Sequence, residues 1–88
     1  MNHKNSFISV LCQISTPQEM SLLLEEILTP REQHDLLLRW QLMQELYDGK
    51  PQRQIASELG ISLCKITRGA KVLKNPNSIS VKLLKEKQ

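Results

Sequence analysis

Six cations, Lys50, Arg53, Lys65, Arg68, Lys71 and Lys74, follow one another with a single acid, Glu58, among them. Short polar and apolar residues stand between these charges: Gln52, Ser62, Leu63, Cys64 and Thr67. Cations at such spacing neutralise the phosphates of a polyanion, while short side chains at the start of a helix reach base edges. None of the short side chains is an arginine or asparagine able to grip a purine with two bonds. Readout is therefore expected from thymine methyls, bridging water and DNA shape. The chain is otherwise poor in reactive groups. Its two cysteines, Cys12 and Cys64, and two histidines, His3 and His34, are too far apart for a zinc site. No nucleophile has an evident base beside it, so an enzyme is not expected and no cofactor or metal is called for.

The charge is uneven along the chain. Residues 1–49 carry three cations against seven acids, net −4, and residues 50–88 carry nine against two, net +7. A solvated lysine-rich tail accounts for Lys82, Lys85 and Lys87 but not for the cluster that ends at Lys74.

The elements that hold these residues read as six helices. Phe7, Val10, Leu11 and Ile14 recur at helical spacing and predict a first helix over 6–14. Thr16-Pro17-Gln18-Glu19 and Thr29-Pro30-Arg31-Glu32 are two capping boxes with proline at the first helical position, opening helices over 17–28 and 30–48. Gly49 is the expected stop. Pro51 opens a fourth helix that Gly60 ends, Ser62 caps a fifth that runs to Lys74, and Ser78 caps a sixth after Asn75-Pro76-Asn77. No segment alternates like a strand. The expected fold is all-α, one domain over 1–88, with a helix-turn-helix over about 52–75.

Within that motif Ala56 lets two helix backbones approach, Gly60 tolerates the turn, and Ile55, Leu59, Ile61 and Ile66 fall where the pair shares a core. At 100° per residue Ile66, Ala70 and Leu73 share the core side of the fifth helix, and Cys64, Thr67, Lys71 and Lys74 share the face expected to meet DNA. Arg53, Lys71 and Lys74 are expected on phosphates, and Ser62, Leu63, Cys64, Lys65 and Thr67 at the bases.

Two arginines and a glycine are out of place. On the third helix Leu36, Trp40, Leu42, Met43, Leu46 and Tyr47 form a wide apolar arc that contains Arg39. Its stem can lie on apolar surface with its head on Asp35, or it can face a ligand between apolar walls. Gly69 sits in mid-helix, where glycine costs about 1 kcal/mol relative to alanine. Either a side chain of another helix or a ligand presses there. Arg68 beside it suits a phosphate or a carboxylate equally.

A chain of 88 residues has little interior of its own, and Phe7, Val10, Leu11, Ile14, Leu37 and Leu38 exceed what it can bury, so a homodimer is expected. No apolar run is long enough to span a membrane, and the N-terminal residues make a poor signal peptide. A cytoplasmic protein with reduced thiols follows. Two other functions fit parts of the pattern: a helix-turn-helix module without a small ligand, and a helical protein-interaction adaptor, which has no need of the basic half.

Leu28-Thr29-Pro30, Arg39, Gly49, Gln52-Arg53, Glu58-Leu59-Gly60, Ile66-Thr67-Arg68-Gly69 and Leu73-Lys74 together resemble the Trp repressor family of bacterial transcriptional repressors. The resemblance implies six helices intertwined as a homodimer on double-stranded operator DNA, with L-tryptophan as corepressor between the third helix and the recognition helix. It assigns Arg39 and Arg68 to the two sides of the indole, Arg68 also to the carboxylate, Gly69 to the close approach, and Leu28 and Thr29 to the partner subunit's edge of the pocket. Where the family commonly has a serine near the ligand's amino group this chain has Val72, and where it commonly has an apolar residue two before Leu28 it has Glu26.

Overall fold

The computed structural model describes residues 2–87. Among them are six helices and no strand: α1 (His3–Gln13), α2 (Pro17–Ile27), α3 (Pro30–Tyr47), α4 (Gln52–Leu59), α5 (Leu63–Lys74) and α6 (Ile79–Lys87). The ends are set locally. The Thr29 box closes in both directions: the Glu32 amide donates to Thr29 Oγ1 at 3.1 Å and the Thr29 amide donates to Glu32 Oε1 at 2.9 Å. At α2 the Glu19 amide donates to Thr16 Oγ1 at 3.2 Å. Ser62 and Ser78 hydroxyls accept from the Lys65 and Val81 amides. Gly49 and Gly60 take positive φ, +88° and +64°, where a side chain is strained.

One boundary departs from the sequence reading. α1 begins at His3, not near residue 6, and ends at Gln13. Asn2 is the reason: its side-chain oxygen accepts from the Lys4 and Asn5 amides, and asparagine is among the strongest N-caps. Pro51 is itself the N-cap of α4, one residue outside the helix.

The chain divides into two compact units, Met1–His34 and Asp35–Gln88. In the first, no described residue is buried, and Phe7, Ile8, Val10, Leu22 and Ile27 are exposed. In the second, Ile55 and Ile66 are fully enclosed, Leu42 lies beside them, and Leu46, Ala56, Leu59 and Ile61 complete the cluster. Leu84 of α6 is also buried. Among the described residues no helix is long and apolar enough to cross a membrane.

Candidate nucleic-acid interface

The site is built from the end of α3 through α5. Ile55 of α4 and Ile66 of α5 meet over Leu42 of α3, so the apolar side of each short helix is taken up by the cluster. The turn between them is compact. Gly60 adopts the left-handed conformation, its amide donates to the Ala56 carbonyl, and the Ile61 amide donates to the same oxygen at 3.2 Å. Ala56 packs against the cluster as the small residue the crossing needs.

Burial of Ile66 and Gly69 turns the opposite side of α5 outward. Cys64, Thr67, Arg68, Lys71 and Lys74 are all exposed there, Leu63 and Lys65 are exposed towards its edges, and no acid occurs in α5. Gln52 and Arg53 are exposed in the first turn of α4. Lys71 and Lys74 lie in the last turn of α5, where a cation also complements the helix dipole. Two of the expected base readers have part of their hydrogen-bonding capacity in use. Ser62 Oγ caps α5 by accepting from the Lys65 amide at 3.4 Å. The Thr67 hydroxyl donates to the Leu63 carbonyl at 3.0 Å, which leaves Thr67 an acceptor and a methyl to offer.

Lys50 needs a correction. The charge pattern counts it with the basic cluster, yet its ammonium is engaged by protein. Lys50 Nζ donates to Glu45 Oε1 at 2.8 Å and to Glu58 Oε2 at 2.6 Å, and Gln54 Nε2 donates to the other oxygen of Glu58 at 2.8 Å. The bonds to Glu45 and Glu58 push the Lys50 pKa up to about 12. The Lys50 and Gln54 bonds hold the Glu58 carboxyl below its ordinary value. The sequence held a signal for this: a lysine in a short linker with a glutamate five before and another eight after.

The residues the sequence offers for a ligand are differently placed. Arg39 of α3 is exposed, so its charge stays in water and burial demands no partner for it. Arg68 and Val72 of α5 are exposed as well. Leu28, half-buried, closes α2, and Thr29, exposed, is occupied by its capping box; both belong to the first unit. Gly69 is buried against α3: a Cβ placed on it would lie 3.1 Å from Leu46 Cδ1, 3.2 Å from Met43 Sδ and 3.7 Å from Leu42 Cδ2. Side chains of another helix press on the glycine, the packing half of the two readings the sequence left open. Trp40 and Tyr47 are half-buried on the same helix. Among the described residues no group of histidines, cysteines or acids could hold a metal ion.

A short helix, a left-handed glycine turn and a second helix with a shared core and an outward cationic face define a helix-turn-helix protein. The Trp repressor protein family matches residues 2–88. A Trp operon repressor homolog of Xylella fastidiosa (strain M23) is 44% identical over 71 residues, covering 80% of this chain and 77% of that one. Homologs with the same description from Actinobacillus succinogenes and Photobacterium profundum are 37% identical over 75 residues and 36% over 69. They are covered over 74% and 67% of their lengths, against 84% and 77% of this chain. No solved structure gives a significant match. The chain belongs to the Trp repressor family, whose members are transcriptional repressors rather than enzymes.

Proposed function

We propose that this chain is a homodimeric operator-binding repressor of tryptophan biosynthesis or uptake genes, whose affinity for DNA is raised by L-tryptophan. The observation that carries the reading is α5. Its apolar side is taken up by the cluster, and its outward side presents Arg68, Lys71 and Lys74, with Lys65 exposed at its edge and no acid in the helix. That arrangement suits a helix in the major groove with cations on the flanking phosphates. Gln52 and Arg53 open α4 beside it as further phosphate ligands. Ser62, Leu63, Cys64, Lys65 and Thr67 are the base-facing set, weighted towards methyl contact. The relatives named Trp operon repressor homologs support the choice of operon.

The dimer is supported by apolar surface left uncovered in both units. Phe7 and Val10 of α1 in the first unit and Leu37 of α3 in the second are exposed, Leu37 by 69%. Apolar area of this kind gains roughly 25 cal/mol per Å² when covered, which favours a second copy as the cover. Arg39 and Arg68 supply the cations for the ligand, Gly69 and Val72 line it from α5, and Leu28 and Thr29 edge it from the partner subunit. Val72 has no hydroxyl to offer an amino group, so indole compounds without that group are less penalised here.

A second reading has one observation in its favour. Leu46 and Met43 already account for Gly69 by packing, which is what a helix-turn-helix module without a small ligand requires. A gel shift on genomic fragments, with and without each amino acid, separates the two. Binding strengthened by tryptophan supports the repressor. Binding indifferent to every amino acid, with no heat on titration with tryptophan, supports the ligand-free module. No binding to any fragment refutes both.

A further inference from the structure

A network of charges links α4 to the end of α3. α4 has eight residues and no side-chain bond at its N-cap, Pro51. Helices this short are marginal in isolation and owe their stability to tertiary ties. Ile55, Ala56 and Leu59 supply the apolar tie. On the other side Lys50 is bound twice to the end of α3, its amide donating to the Glu45 carbonyl at 3.1 Å and its ammonium to Glu45 Oε1 at 2.8 Å. The same ammonium reaches Glu58 in the last turn of α4 at 2.6 Å, and Gln54 fixes the remaining oxygen of Glu58. Both ends of this chain of bonds are thus set on regular structure, with Lys50 as the joint.

We propose that Lys50 is a positioning residue for DNA recognition: by bridging Glu45 and Glu58 it seats α4, the first helix of the helix-turn-helix, on the end of α3 without touching DNA. The proposal rests on the operator-binding reading above. α4 and α5 share the fully enclosed pair Ile55 and Ile66, so a shift of α4 is passed to α5 through packed side chains. A cation that holds phosphate and a cation that holds α4 make opposite predictions. Loss of a phosphate ligand reduces the dependence of log affinity on log salt by about one unit. Loss of the joint lowers affinity and leaves that slope alone. Glu58 sharpens the contrast. Coulomb's law has the removal of an acid tighten binding to DNA, whereas loosening the joint weakens it.

The test compares wild type with Lys50→Met, Glu58→Gln, the double variant and Lys50→Arg. Operator-fragment affinity is read at several salt concentrations, and amide hydrogen exchange is followed without DNA. Lys50→Met and Glu58→Gln are each expected to weaken binding about threefold, the scale of exposed ion pairs in a network. The double variant is expected to be no weaker than either single, since both remove one joint. The salt slope stays at the wild-type value, Lys50→Arg keeps wild-type affinity, and α4 amides exchange faster in Lys50→Met while those at the centre of α5 do not. A slope shallower by one unit in Lys50→Met overturns the proposal in favour of a phosphate contact. Tighter binding by Glu58→Gln, or unchanged α4 exchange, overturns it as well. Failure of the wild type to bind any fragment refutes the operator reading instead, and the exchange measurement then decides the seating of α4 by itself.

Discussion

Gly69 offers a sharp test of how α5 is seated. Alanine there restores helix propensity worth about 1 kcal/mol. Against that gain, its Cβ would sit 3.1 Å from Leu46 Cδ1 and 3.2 Å from Met43 Sδ. These distances fall a few tenths of an ångström inside the optimum of roughly 3.5–4.0 Å for carbon contacts. Both neighbours lie on flexible, half-buried side chains, so they can give way, and the overlap costs about as much as the propensity returns. Gly69→Ala is therefore expected to change stability by less than about 1 kcal/mol. Gly69→Leu differs in kind. Three more carbons must enter a space bounded by Leu46, Met43 and the buried Leu42, and overpacking of that order costs about 1–3 kcal/mol. In a domain of this size 1 kcal/mol corresponds to roughly 4–8 °C in Tm. Thermal and urea unfolding at one fixed protomer concentration reads both variants, the concentration being held because association shifts apparent stability. A Gly69→Leu protein as stable as wild type would show that the side chains of α3 do not bear on this glycine. A Gly69→Ala protein destabilised by 2 kcal/mol or more would show that Leu46 and Met43 are too rigidly held to give.

Four further outcomes follow from the same geometry. Arg53→Ala should shallow the plot of log affinity against log salt by about one unit, and an unchanged slope removes Arg53 from the phosphate ligands. Because the Thr67 hydroxyl donates to the Leu63 carbonyl, Thr67→Val should keep the wild-type sequence preference while Thr67→Ala alters it; selection from a randomised operator library decides, and equal effects would assign the reading to the hydroxyl. Sedimentation at micromolar concentration should give twice the chain mass, and Leu37→Glu, at a position 69% exposed, should shift the protein towards monomer; a compact wild-type monomer refutes the dimer. Stability should also follow pH through the joint. Glu58, held below its ordinary value of 4.5, contributes stability that is present above that value and lost as pH falls through its folded one. Lys50 contributes stability present below 10.5 and lost as pH rises through about 12. The Tm difference between wild type and Lys50→Met should thus close on acidification below 4.5, and a difference that persists through the protonation of Glu58 contradicts the assignment.

Local chemistry made the helices legible. Thr29-Pro30-Arg31-Glu32 closes its own box, Ser62 caps its own helix and Gly60 supplies its own φ, because each of these bonds spans only a few residues. Periodicity likewise placed Ile55, Leu59, Ile61 and Ile66 in one core and left the cationic side of α5 outward. Even the early start of α1 was available to a reading that gave Asn2 its capping role, since asparagine there needs only the next two or three amides. Tertiary structure alone decided the rest. Whether a side chain of another helix reaches Gly69 depended on how closely α3 approaches α5, a distance fixed by the volumes of Leu42, Met43 and Leu46 together. Whether Lys50 belonged to DNA or to protein depended on the turn at Gly49, which folds a linker lysine back between Glu45 and Glu58. A sequence lists charges one after another, but an ion pair forms between groups that the chain's path through space brings within about 4 Å, and that path belongs to the packed whole.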